Sequence, residues 1–148
     1  MLLQIAVGTG LISVSILIGA LAALLMELAF LRGHGWLMTE PHRPKLVLVV
    51  VAVSLWVMAV VTAGVWLWAL AYYALGVFST LEEAVYFSLV SFTTLGYGDV
   101  LLHPEWRILG GMSAANGLLI FGLMTALLVD ALRQVRLGQF EVRRKRGG

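Results

Sequence analysis

The sequence predicts an all-α membrane protein with three transmembrane helices and one re-entrant segment. Three observations carry that expectation. The 148-residue chain is 61 % hydrophobic and 12 % charged, against about 45–50 % apolar and about 25 % charged in soluble domains. Three runs, 1–26, 46–81 and 108–129, contain no charged residue, and each exceeds the roughly 20 apolar residues that cross a bilayer as a helix. A fourth uncharged run, 84–98, is shorter and has the length of a re-entrant segment.

Composition also removes function classes. The chain has no cysteine, so disulfides, thiolate nucleophiles and Cys-based metal sites are excluded. A formal net charge of +2 is too small to suggest a nucleic-acid partner. No zinc-protease helix motif, nucleophile elbow or phosphate-binding loop is present, and the chain reads as a non-enzyme.

The first helix is expected over 1–32. Its run lacks the basic start and the small-residue cleavage site of a signal peptide, so it reads as a retained span. A loop over 33–45 follows, where Gly33, Gly35, Pro41 and Pro44 are expected to end one helix and delay the next. A second transmembrane helix is expected over 46–76. Trp36 in the loop, and Trp66, Trp68, Tyr72 and Tyr73 near the end of that helix, suit interfacial anchors.

A short helix is expected over 80–92, with Ser79 or Thr80 as N-cap. Glu82 stands at capping-box spacing from Ser79, and Glu82 and Glu83 suit a helix N-terminus. The helix is too short to cross, so the chain returns through 94–99, T-L-G-Y-G-D. Irregular backbone at membrane depth survives only where it is buried in protein or lines a water-filled cavity. Successive carbonyls aimed at one axis require alternating backbone handedness, and Gly96 and Gly98 supply that freedom at every second position. Thr94 adds a hydroxyl, Tyr97 braces the loop, and Asp99 places negative charge at the external mouth. An inner helix is expected over 105–135, with a basic tail over 136–148.

Orientation follows from charge. Nine of the ten basic residues fall in the segments after the first and third spans, whereas the segment between the second and third holds Glu82, Glu83, Asp99 and Glu105 with Arg107. The positive-inside rule then places the N-terminus outside and the C-terminus in the cytoplasm. Arg143, Arg144, Lys145 and Arg146 suit anionic lipid headgroups. His34, His42 and His103 are isolated, without metal-ligand spacing.

The run T-T-L-G-Y-G-D after a short helix, followed by A-N-G-L-L-I-F-G-L-M-T-A-L-L at 115–128, resembles the potassium channel superfamily over roughly residues 46–135. The first helix lies outside the resemblance. What the resemblance implies is a homotetrameric K+ channel of a prokaryotic plasma membrane. Thr94, Leu95, Gly96, Tyr97 and Gly98 would form the filter that replaces the hydration shell of K+. Gly117 falls at the hinge position of the family's inner helix, although small residues there equally suit close helix packing. Leu118, Phe121, Thr125 and Val129, spaced by three or four, would line the cavity and gate.

Three departures stand out. Leu95 replaces the usual Val. Tyr86 and Phe87 replace paired Trp, and Phe87 has no hydrogen-bond donor for the filter cuff. Val90 replaces a buried acid that would partner Asp99. Alternatives are a non-selective monovalent cation channel and a non-conducting accessory subunit. Asn116 is expected to bond a neighbouring helix, and Gly10, Gly19 and Ala23 to offer packing sites in the first helix.

Overall fold

The structure, a computed structural model, describes residues 1–37 and 42–146, with side chains described at 1–33, 35 and 44–133. It is helical, without a strand among the described residues. Four helices follow in order: α1 (Leu2–Leu37), α2 (His42–Ala74), α3 (Leu81–Phe92) and α4 (Arg107–Arg146), the last preceded by a 3₁₀ turn at Pro104–Trp106. Three segments, Leu2–Gly33, Pro44–Ala74 and Pro104–Arg133, are long and apolar enough to span a membrane.

Three boundaries differ from expectation by several residues. α1 continues through Gly33 and Gly35 to Leu37, and Pro44 lies inside the first turn of α2. A single Gly costs a helix only about 1 kcal/mol, and a first-turn Pro removes a donor that has no intrahelical acceptor. α4 also continues past 135 as one helix to Arg146. The side chains of Trp36, His34, His42 and the basic run 143–146 lie outside the described residues.

α3 starts as its sequence suggests, one residue along. Thr80 is the N-cap, and its Oγ1 accepts from the Glu83 backbone N–H at 3.2 Å. Ser79 donates to the Glu83 carboxylate at 3.3 Å, so Glu83 rather than Glu82 completes the cap.

α3 is wedged between α2 and α4. Phe92, fully buried, lies with its ring against Gly64 of α2 and its backbone against Gly117 of α4. One turn from each of these stand Trp68, Ser88 and Ser113, and one turn further Tyr72, Ala84 and Leu109, all fully buried. Three ladders of i, i+4 residues thus form the core of the module. The Tyr72 hydroxyl donates to the Leu109 carbonyl at 3.3 Å, and its ring meets Phe78 and Phe87 edge-on. Trp68 and Tyr72 are therefore core residues, not interfacial anchors. Trp66 and Tyr73, on the opposite side of α2, are exposed as anchors require.

α1 packs principally on α4 and secondarily on α2. Gly8 lies against Met112, and Gly19 against Ile120, Leu123 and Met124, so α1 and α4 run parallel. Gln4 accepts from the Leu109 N–H at 3.3 Å, satisfying a donor that the first turn of α4 leaves open. Trp56 of α2 donates to the Ala22 carbonyl at 3.2 Å, and α2 runs antiparallel to α1.

Candidate functional site

The site begins where α3 ends. The Thr93 N–H bonds the Leu89 carbonyl, the Thr94 N–H bonds Ser91 at 3.0 Å, and the Leu95 N–H bonds Val90 at 2.9 Å. These bonds use up the open carbonyls at the helix end and turn the chain back. Thr94, Gly96 and Gly98 then adopt φ of 59°, 55° and 79°. Left-handed backbone at every second residue keeps successive carbonyls from alternating as they would in a strand. Glycine provides it cheaply, whereas Thr94 pays about 1–2 kcal/mol. A non-glycine residue held there is the kind of local strain that clusters at functional sites.

From Thr93 to Asp99 the loop is exposed within the single chain. Tyr97 is 70 % exposed and Leu95 54 %. On α4, Leu118, Phe121, Thr125 and Val129 share one face and are likewise exposed. The Phe121 ring lies 6.1 Å from that of Phe92, which joins this face to the base of the loop. The Thr125 hydroxyl donates to the Phe121 carbonyl at 2.8 Å. The structure therefore brings the loop and the α4 face to one open side of the bundle, away from α1.

A family model described as an ion channel matches residues 46–134, the stretch that contains most of α2, all of α3, the loop and most of α4. The chain belongs to this ion-channel family. No curated protein and no solved structure matches the chain. α1 lies wholly outside the matched residues.

In the channel, Asp99 has a partner that the sequence does not advertise. The Tyr86 hydroxyl donates to the Asp99 carboxylate, across thirteen residues and from α3 to the far end of the loop. That bond holds the Asp99 carboxyl below the ordinary carboxylate range and raises the Tyr86 phenol, because it stabilises the charged acid and the neutral phenol. Val90 removes one possible partner of Asp99, and Tyr86 supplies another. Phe87 faces the chain's own core, 5.4 Å from Tyr72 and 5.2 Å from Phe78.

Gly117 has a packing reason. A Cβ there would fall 1.9 Å from the Phe92 carbonyl oxygen, so α3 and α4 approach as closely as they do only because residue 117 has no side chain. Next to it, Asn116 donates from Nδ2 to Ser15 Oγ of α1 at 2.9 Å, both buried. Among the small residues of α1, Gly19 packs on α4, Gly10 faces open space, and Gly8 makes a close contact that sequence reasoning missed. His103 pairs with Glu105 at 3.2 Å on the exposed side.

Proposed function

We propose that this channel conducts K+ selectively and passively through a pore built from four copies of the chain. The observation that carries the reading is the alternating left-handed backbone at Thr94, Gly96 and Gly98, because dehydrated K+ is coordinated by rings of backbone oxygens. The carbonyls of Thr94, Leu95, Gly96 and Tyr97, with the Thr94 hydroxyl, supply one quarter of each ring, and Gly98 completes the outer turn. One loop cannot surround an ion, and its exposure on one side of the chain suits closure by symmetry-related copies. Leu118, Phe121, Thr125 and Val129 line the cavity below.

Asp99 concentrates cations at the external mouth, where its depressed pKa keeps it charged. The basic ends of α1, α2 and α4 put the C-terminus in the cytoplasm, and the run 143–146 meets anionic lipid there.

Flux into liposomes tests the reading. K+ influx that Na+ does not support is the expected result. Equal flux of both ions makes the protein a non-selective cation channel, and no flux from a verified tetramer makes it an accessory subunit.

A further inference from the structure

Beyond Ala22 and Trp56, α1 and α2 leave a cavity of 310 Å³ between them. Leu25, Met26, Ala29, Phe30 and Gly33 line it on α1, and Leu48, Val49, Ala52, Val53 and Trp56 on α2. Each set repeats at i, i+1, i+4, i+5 and i+8, one continuous helix face. At the helical rise this groove is roughly 12 Å long. Its lining carries no charged residue, and small residues at 29, 33 and 52 create the hollow.

The two ends of the groove differ. The Trp56 indole, fixed by its bond to the Ala22 carbonyl, closes the end toward the bilayer centre. The other end runs out at Gly33 and Leu48 beside basic residues. Arg32 is exposed on the Leu25 flank of α1, and Lys45 lies on the groove face of α2, one turn beyond Val49. Glu27 points to the opposite side of α1 by its helical position. Both walls belong to segments long and apolar enough to span a membrane, which puts bilayer lipid within reach of the cavity.

We propose that the groove is a binding site for an anionic phospholipid, with one acyl chain lying between α1 and α2 and the phosphate beside Arg32. The apolar lining, the closed inner end and the exposed Arg32 at the outer end each match one part of such a molecule. The site involves α1, which lies outside the matched family region, and is separate from the basic run at 143–146. Its occupant would hold α1 at the distance from α2 that the structure records.

Trp56 is a reporter already in place. The full channel is reconstituted in vesicles of phosphatidylcholine containing a minor fraction of acyl-brominated phosphatidylglycerol or, separately, acyl-brominated phosphatidylcholine. The Trp56 signal is isolated by subtracting the Trp56→Phe variant. The expected result is Trp56 quenching at about fivefold lower mole fraction of the brominated anionic lipid, the factor that one basic residue near anionic lipid commonly supplies. Arg32→Gln should erase that preference while leaving the fold intact, because Arg32 is exposed. Ala29→Leu, which fills the groove floor, should reduce quenching by both lipids. Equal quenching by the two lipids in the unaltered channel would mean ordinary surrounding lipid and overturn the proposal. The chain has no native cysteine, so an Ala52→Cys variant provides a second check. Disulfide-linked dimers formed through it on oxidation would place a second copy in the groove and also overturn the proposal.

Discussion

The three-helix junction around Phe92 and the loop that starts two residues beyond it obey opposite rules. At the junction, Trp68, Tyr72, Ser88, Phe92, Leu109 and Ser113 are fully buried by their own chain. In the loop, Thr94 to Asp99 are exposed, and among the described residues Tyr97 has no ring partner. The junction is finished within one chain, while the loop is left open, as the proposed four-copy pore requires. Stability and function are thus separated along a short stretch of sequence, and substitutions on the two sides should fail in different ways.

The largest effect should come from Gly117→Val. The new side chain would meet the Phe92 carbonyl oxygen, and backbone on both sides leaves little room to yield. Loss of folded protein on size exclusion is expected, whereas Gly122→Ala, with nothing within 4 Å, should be recovered normally. Folded protein of normal yield from Gly117→Val would mean that the junction is looser than its geometry.

Phe92→Ala follows, at about 3–5 kcal/mol for a fully buried phenylalanine, read as a lower thermal midpoint. Gly96→Ala sits on the other side of the comparison. Nothing crowds its Cβ, but φ of 55° costs an alanine about 1–2 kcal/mol. We expect folded channel with K+/Na+ discrimination lost, and retained discrimination would separate the loop backbone from selectivity.

A smaller, pH-dependent effect is expected at the mouth. The Tyr86–Asp99 bond depresses the folded-state pKa of Asp99. Its contribution is therefore complete above the ordinary carboxylate value of about 4 and is lost as pH falls through the depressed value. In Tyr86→Phe the carboxyl returns toward its ordinary pKa. Acid should then reduce single-channel conductance at higher pH than in the unaltered protein; coincident titrations would show that Asp99 does not set cation supply.

The smallest effect tests α1. A double-mutant cycle of Ser15→Ala and Asn116→Leu should return a coupling near 0.6 kcal/mol, the average for hydrogen bonds within membrane bundles. Thermal midpoints of the four proteins measure it, and strict additivity would mean that the bond contributes nothing.

Much of this was legible beforehand, for identifiable reasons. Charge-free length marks a span whatever it packs against, so 2–26, 46–74 and 108–129 of the three charge-free runs lie inside α1, α2 and α4, while the second run overshoots its helix by 75–81. Alternate glycines mark left-handed backbone because the constraint is local to each residue, and Gly96 and Gly98 adopt it. Thr94 doing the same was not visible, since threonine shows no such preference. Asn116 was legible as an interhelical donor because a polar side chain at membrane depth must find a partner.

Facing was decided only in three dimensions. α1 and α2 are apolar on every side, so no periodic stripe says which residues turn inward. Tyr72 and Tyr73 are neighbours of the same type, yet one is core and the other exposed. Gly117 and Gly122 look alike in sequence, yet one is pressed against a carbonyl and the other faces open space. The partnership of Tyr86 with Asp99 spans a turn whose geometry no spacing rule encodes. The sequence by itself determined where this chain enters the membrane and where its backbone must be irregular, because length, charge and glycine act locally. Which side of each helix meets protein, lipid or the open loop side was left to tertiary packing, because in a helix uniformly apolar around its axis only neighbouring surfaces distinguish one face from another.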